Sequence, residues 1–198
     1  MTDKNILIDI PMPITTPRLI IRPAMPGDGA AMHEAKIETY DELAKWMPWA
    51  KKGEAVEESE IVVREAYARF IRREDLMLMG FSRINGEFII ASGLHRFDWN
   101  SRRFEIGYWT NKAYHNQGYA TEAANALTRF AFNVLNARRV EIRYDEGNEN
   151  SARVPSKLGF IHEGVTRFAD VLPTGGPAHV HTTARYDLNN LPPLEVTW

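Results

Sequence analysis

The spacing of apolar residues changes several times along the chain, and each change marks an element. After the Thr16-Pro17 break, RLIIR (18–22) is short and β-branched, as a first strand requires. Asp28 follows Pro26-Gly27 and stands where a side-chain oxygen caps the first turn of a helix running through MHEAKIETY. From about Val56 to Arg73, residues Ile61, Val63, Ala66, Tyr67, Phe70 and Ile71 recur at three- and four-residue intervals, the period of a helix with one face in a core. Between these helices lies WMPW, where Pro48 interrupts helical hydrogen bonding and leaves Trp46 and Trp49 in a loop.

Two strand-like runs, LMLMGFSRI and EFIIASGLHRF, flank Asn85-Gly86, a pair whose tolerance of positive φ predicts a tight type I′ hairpin turn. RRFEIGYWT (102–110) extends the hairpin into an antiparallel meander. Ala123, Ala126, Leu127, Phe130, Ala131 and Leu135 then mark an amphipathic helix beginning near Tyr119. RRVEIRYD reads as a strand, residues 149–158 as a helix, and 159–171 and roughly 180–188 as a final pair of strands. This order is neither doubly wound nor all-β, and it predicts a mixed α/β (α+β) sandwich. One domain is expected, with its core at about 16–188 and an irregular, proline-broken tail at 189–198.

Composition narrows the function without choosing it. With 198 residues, 44% hydrophobic and 25% charged, the chain has the balance of a folding globular protein. A formal charge of −2 opposes a general attraction to nucleic acid or an anionic membrane. The arginine pairs Arg72-Arg73, Arg102-Arg103 and Arg138-Arg139 are interspersed with acids and read as solvated faces or phosphate contacts. The absence of cysteine excludes disulfides, thiolate zinc sites and a cysteine nucleophile. With no leader-like N-terminus and no apolar run of membrane-spanning length, the expected location is the cytoplasm. His179 and His181 share one face of a strand, but no third ligand has suitable spacing, so no metal is expected.

The junction from RRFEIGYWT to HNQGYATEAANALTRFAF offers the most chemistry: a strand, a loop with Gly118, then a helix. Such a junction aims unpaired N–H groups outward at the positive end of the helix, where they can hold phosphate oxygens. Gly118 allows close approach of backbone to ligand, and Ala120 keeps the next turn slim; a plain turn entering a helix would use the same two residues. The second informative segment is RYDEGNENSARVPSKLGF, a strand, an Asn-rich turn and a short helix.

Together these segments resemble the GNAT acetyltransferase superfamily, and within it the RimJ/RimL group that acetylates amino groups of ribosomal proteins. The resemblance covers nearly the whole chain, through TPRLIIRP, WMPW, FEIGYW, NQGYATEA and NENSARVPSKLGFIHEG. It implies a mostly antiparallel central sheet flanked by helices and splayed between strands 4 and 5, with the pantetheine arm of acetyl-CoA hydrogen-bonded in the gap. The superfamily's loop, Arg or Gln, two residues, Gly, one residue, Gly or Ala, falls on His115, Asn116, Gln117, Gly118, Tyr119 and Ala120. His115 departs from that pattern, and a histidine is neutral for much of the time near pH 7. By the same resemblance Ile106, Tyr108, Thr121, Asn148, Ser151 and Lys157 complete the cofactor contacts.

Direct acetyl transfer needs a neutral amine beside the thioester, a group to take its proton and a group to protonate or stabilise the thiolate, without a metal. An α-amino group with pKa about 8 is roughly a tenth neutral at pH 7, so a weak base suffices for it. Glu105 is the candidate for polarising or deprotonating the amine through a water, although a salt bridge would account for it equally. The resemblance places Ser151 near the cofactor sulfur. Where many relatives carry a tyrosine one turn further along, this sequence has Val154 and Pro155, which favours Ser151 or water as the acid. Asn148 and Ser151 would also suit a simple helix cap. Trp109, with Trp46 and Trp49, is expected to shape the acceptor side, though all three also suit core or loop packing.

The expected acceptor is a protein N-terminal amine, such as that of a ribosomal protein. A small-molecule amine (antibiotic, polyamine or amino-acid conjugate) is the alternative, and a non-catalytic CoA-binding module is a third reading. Direct nucleic-acid or membrane binding is not expected, and both monomer and homodimer remain open.

Overall fold

The structure, a computed structural model, describes residues 4–198; the first three residues of the N-terminal segment read above lie outside it. Its strands are β1 (Ile14–Thr15), β2 (Leu19–Pro23), β3 (Leu76–Ser82), β4 (Phe88–Asp98), β5 (Arg103–Thr110), β6 (Arg139–Asp145), β7 (Ile161–Val171) and β8 (Pro177–Arg185). Its helices are α1 (Gly29–Glu38), α2 (Tyr40–Leu43), α3 (Val56–Arg72), α4 (Tyr119–Asn133) and α5 (Glu149–Lys157). The strands form one sheet in the order β1-β2-β3-β4-β5-β6-β8-β7. Every neighbouring pair is antiparallel except β5 and β6, which run parallel. The expected mixed α/β fold, mostly antiparallel and flanked by helices, is therefore present.

The parallel pair is short. Arg103, Phe104 and Glu105 stand opposite Arg139, Val140 and Glu141, and no pairing follows, although β5 continues to Thr110 and β6 to Asp145. Each strand keeps its outer partner instead: Thr110 still faces Ile90 of β4, and Asp145 still faces Val180 of β8. The sheet therefore splays where the sequence reading placed the gap. The two-residue β1, which that reading did not count, makes the splayed strands fifth and sixth rather than fourth and fifth.

Helices cover both faces. On one, α4 buries Ala123, Ala126, Leu127, Phe130 and Ala131 completely, next to Phe104 and Ile106 of β5. Burial of each large apolar side chain contributes roughly 1.5–3 kcal/mol before conformational entropy is counted. On the other face, Met32 and Ala35 of α1 and Val63 and Ala66 of α3 pack over Met79, Phe88 and Ala91.

Four sequence expectations change. Asp28 occupies the N-cap position of α1, but its side chain caps nothing there; it accepts from Arg22 and from the Met25 amide. The amides of Gly27 and Gly29 donate to Glu60 of α3, at 2.9 and 3.0 Å. Gly29 has no side chain to obstruct this contact, since a Cβ would lie 2.5 Å from the Glu60 backbone. The helix expected through Tyr40 breaks at buried Thr39, whose hydroxyl accepts from the Lys112 amide in the loop beyond β5.

The third change concerns the β3–β4 turn, which is a five-residue connection rather than a two-residue type I′ turn. Gly86 alone in it has positive φ (74°), and the strands resume pairing at Phe81 and Phe88 across a register shift. Fourth, the buried stripe of α3 is Ser59, Val63, Ala66 and Phe70, with Ile61 and Ile71 exposed. The spacing i, i+4, i+7, i+11 leaves those two isoleucines off the stripe. The tail is irregular, as expected, yet it is docked. Thr15 and Thr197 exchange backbone hydrogen bonds, Trp198 packs edge-on against Phe130, and the Pro192 carbonyl accepts from Asn125 and Arg129 of α4.

Edge strand β7 is clipped to β6 through Glu163, which accepts from Arg139 at 2.7 Å and also from Tyr186. These donors hold its carboxyl down from the ordinary 4.5 to about 2. A depressed carboxylate stabilises the fold fully above its unfolded value and loses that contribution as the pH falls through the folded one. Urea unfolding across pH 6 to 2 should therefore show a decline between about 4.5 and 2 that Glu163→Gln flattens. Partial exposure limits the contribution to about 1 kcal/mol.

Candidate active site

Antiparallel register decides which side chains share the floor of the main cleft. Leu76 of β3 faces Leu94 of β4, so the preceding Asp75 comes beside His95, and His95 in turn faces Glu105 of β5. Cross-strand partners project to the same face, and the row Asp75, His95, Glu105 continues to Glu141 across the parallel pair. His95, Glu105, Gly107 and Trp109 line a cleft of about 780 Å³ that also takes in Ser151 and the loop carrying Trp46 and Trp49.

Glu105 is buried, and both of its oxygens have cationic neighbours: Arg96 pairs with Oε1, and Nε of Arg143 lies 3.6 Å from Oε2. Burial pushes its carboxyl above the ordinary carboxylate value, and Glu141 adds to this, while Arg96, Arg143 and His95 pull the other way. The salt-bridge role considered for Glu105 is thus present, and the residue still lines the cleft. A carboxylate so placed can attract a cationic amine to the floor.

At the far end of β5 the chain turns into α4 through Gly118, the N-cap, at φ 82°. Being glycine it offers no capping side chain, so the amides of Gly118, Tyr119, Ala120 and Thr121 have no partner within the helix. The turn is fastened from behind. Arg18 donates from Nη1 to the Gln117 carbonyl at 2.9 Å and lies over the Tyr119 ring at 4.1 Å. Glu122 accepts from the Arg18 amide (3.0 Å), from Nε of Arg18 and from the Thr16 hydroxyl (2.6 Å). A trans peptide whose carbonyl is drawn toward Arg18 aims its N–H, that of Gly118, the opposite way. These open amides, and the unpaired stretch of β5 beside the gap, fit the phosphate and amide groups of acetyl-CoA.

His115 does not simply replace the superfamily's first loop residue. Its Nε2 lies 2.8 Å from the Thr110 carbonyl, which ties the ring to the end of β5, while exposed Asn116 takes positive φ and the Gln117 side chain donates to Ala113. Ile106 keeps its side chain in the core, so only its backbone faces the gap. Lys157 is exposed in the last turn of α5, at the opposite end of that helix from Ser151 and outside the cleft lining.

Asn148 and Ser151 meet as the capping reading foresaw, with Asn148 Oδ1 accepting from the Ser151 amide at 3.1 Å. That bond fixes the turn and leaves the Ser151 hydroxyl on the cleft side, 3.3 Å from the Tyr108 hydroxyl. Tyr108 also donates to the Ser151 carbonyl, so one phenol spans the gap from β5 to α5. Burial drives the Tyr108 phenol far above its ordinary value, which keeps it protonated. A serine beside a protonated phenol can pass a proton to a thiolate.

At the cleft mouth Trp49 lies 6.2 Å from Trp109, which stacks edge-on with Phe88 at 5.6 Å. Trp46 reaches across to the β6–α5 turn, 3.7 Å from where a Cβ on Gly147 would sit. The structure thus brings together Trp46, Trp49, Glu105, Tyr108, Trp109, Asn148 and Ser151 around one cleft. His179 and His181 are engaged within the terminal hairpin, where His179 accepts from the Phe168 amide and His181 contacts His162 and stacks on Tyr144. Among the described residues no group of three or more His, Cys, Asp or Glu is placed to hold a metal, and no helix is long and apolar enough to cross a membrane.

Residue spacing missed the two arrangements that hold the site in shape. One is the Thr16–Arg18–Glu122 brace, whose only sequence trace was the TPRLIIRP opening. The other is the Asp75–His95 pair, foreshadowed only by Gly93 and Gly107.

Comparison with known proteins adds a family. Residues 18–161 match the family described as Acetyltransferase (GNAT) domain. Over 152 residues the chain is 32% identical to the putative ribosomal N-acetyltransferase YdaF of Bacillus subtilis (strain 168), covering 75% of this chain and 81% of that protein. Among solved structures, RimL, a ribosomal L7/L12 alpha-N-protein acetyltransferase in complex with coenzyme A, aligns with TM-score 0.80 at 22% identity over 88% of this chain and 97% of that one. The Microcin C7 self immunity acetyltransferase MccE, in complex with acetyl-CoA and AMP, aligns with TM-score 0.80 at 16% identity over 86% and 93%. At those identities the two structures speak for the fold alone.

Proposed function

Since the chain belongs to the GNAT acetyltransferase family and is an acetyl-CoA-dependent acetyltransferase, we propose that its acceptor is the N-terminal amine of a protein, such as a ribosomal protein. The observation that carries acetyl transfer to an amine is the course of β5, and the N-terminal acceptor rests on the relative named above. β5 sets Glu105 on the cleft floor and Tyr108 against Ser151 three residues later, then leads into the open amides of α4. An amine drawn to Glu105 would approach a thioester whose sulfur lies toward Ser151.

The neutral amine nitrogen then bonds to the acetyl carbon as the C–S bond breaks, the electron pair goes to sulfur, and nitrogen gives up one proton to a base at the cleft floor. Ser151, backed by Tyr108, supplies the proton that sulfur takes. The name of YdaF supports a ribosomal acceptor, which would place the activity in the cytoplasm. A small-molecule amine is the second reading, favoured by the tryptophans at the mouth, where a flat acceptor could stack between Trp49 and Trp109.

The test is thiol release from acetyl-CoA with N-terminal peptides, free lysine, polyamines and aminoglycosides as acceptors. Turnover on N-terminal peptides, with kcat lowered about 10- to 100-fold in Ser151→Ala and in Glu105→Gln, is the expected result. Turnover confined to the small molecules would transfer the assignment to the second reading, and unchanged rates in both variants would remove these two residues from the chemistry.

A further inference from the structure

His95 lines the cleft, and the acetyl-transfer reading gives it no task. It sits midway in the cross-strand row, and its Nδ1 lies 2.8 Å from Oδ2 of Asp75. In the neutral ring, a carboxylate at that distance selects the tautomer with hydrogen on Nδ1 and the lone pair on Nε2. No hydrogen bond to Nε2 occurs among the described residues, and the residue lines the cleft.

Space for the ring is provided by two glycines. Gly93 and Gly107 face each other across β4 and β5, and the imidazole lies over both. A Cβ on Gly93 would run into the Leu76 carbonyl oxygen as well as meet Nε2 and Cε1 at 2.9 Å, and one on Gly107 would meet Cδ2 at 3.0 Å. Alanine at Gly107 would press on the ring, and alanine at Gly93 would collide with the β3 backbone as well as with the ring. The sheet thus has a recess that holds the imidazole against the floor with Nε2 over the β4–β5 junction, beside Glu105.

Both oxygens of Glu105 already face cations, Arg96 and Arg143, whereas Nε2 of His95 has no hydrogen-bond partner among the described residues. We propose that His95, held by Asp75, is the catalytic base that takes the amine's proton, and that Glu105 attracts and orients the amine. This assignment rests on the acetyltransferase reading above and deepens it. As nitrogen bonds to the acetyl carbon and the C–S pair leaves on sulfur, the proton on nitrogen passes to Nε2. The thiolate receives its proton from solvent, directly or through Ser151, which regains one from water, and His95 returns its own to solvent. Asp75 touches neither substrate and is a positioning residue.

The experiment measures kcat and both KM values for whichever amine the wild type acetylates, beside His95→Gln, His95→Ala and Asp75→Asn, with coenzyme A binding followed by calorimetry to verify the fold. His95→Gln should lose at least about 100-fold in kcat with the KM for acetyl-CoA unchanged. His95→Ala, which opens the recess to the cleft, should regain activity when imidazole is added. Asp75→Asn should lower kcat about 10-fold without changing coenzyme A affinity. If His95→Gln keeps kcat within about threefold of wild type, or imidazole fails to restore a folded His95→Ala, the assignment is wrong while the acetyltransferase reading stands. If the wild type acetylates no amine, the acceptor reading itself falls, and this base assignment falls with it.

Discussion

Gly118→Val should raise the coenzyme A dissociation constant by about 100-fold, equivalent to about 2.7 kcal/mol, with little loss of thermal stability. Gly118 holds φ 82° at the head of α4, a backbone region that costs an L-residue roughly 1–2 kcal/mol and is worst for a β-branched one. The position is not crowded, since a Cβ would lie 3.6 Å from Nη2 of Arg18, an ordinary contact. The strain is relieved by turning the Gln117-Gly118 peptide, and that rotation turns its N–H away from the ligand. Gly118→Ala, with less strain, should lose about 10-fold. Calorimetric titration with coenzyme A measures both. Wild-type affinity in the valine variant would mean that the amides of this turn do not hold the cofactor.

Glu122→Ala should cost about 2–4 kcal/mol of stability, with coenzyme A affinity falling alongside. Glu122 is buried and accepts three hydrogen bonds from Thr16 and Arg18, one of them from backbone. Truncation removes the short acceptor of the buried Thr16 hydroxyl and leaves it the Leu19 amide at 2.9 Å and only the long 3.4 Å contact to the Leu19 carbonyl, while the partly exposed Arg18 recovers some hydration. For a chain of this size the loss corresponds to a fall in Tm of roughly 8 °C. Glu122→Gln keeps the shape and part of the bonding and should recover about half of that. The Arg18 contact to the Gln117 carbonyl depends on the same carboxylate, so stability and binding should decline together. A destabilised variant with intact affinity would show that the amide turn holds its shape without this brace.

The helix behind the amide turn was legible because Ala123, Ala126, Leu127, Phe130 and Ala131 keep a helical period, although Glu122, Asn125 and Thr128 are buried beside them. The capping of Ser151 by Asn148 was legible because the partners are three residues apart. What escaped depends on distance along the chain. Nothing local tells that the amides beside Asp28 belong to Glu60, 31 residues on from Gly29, or that Arg18 awaits Glu122. The Asp75–His95–Glu105 row required the register of two strand pairs. One hairpin loop is longer than Asn85-Gly86 suggested, and the other pair slips between His95 and Asp98. A single residue of error would have put His95 on the opposite face. Glu105 was named from its place in FEIGYW, but its charged neighbours come from β4 and β6.

The three-residue pairing between β5 and β6 has a thermodynamic side. It divides the sheet into two leaves, β1–β5 and β6–β8, whose hydrogen-bonded ladders are otherwise separate. A sheet joined by so short a seam is suited to partial opening, in which one leaf loosens at a free-energy cost below that of global unfolding. The Tyr108–Ser151 contacts cross this seam, and α4 meets the tail that follows the second leaf at Pro192 and Trp198. A cosubstrate lodged in the gap would touch both leaves and bind only when they are closed. It would then act as a removable staple, adding its own binding free energy to the cohesion of the closed form.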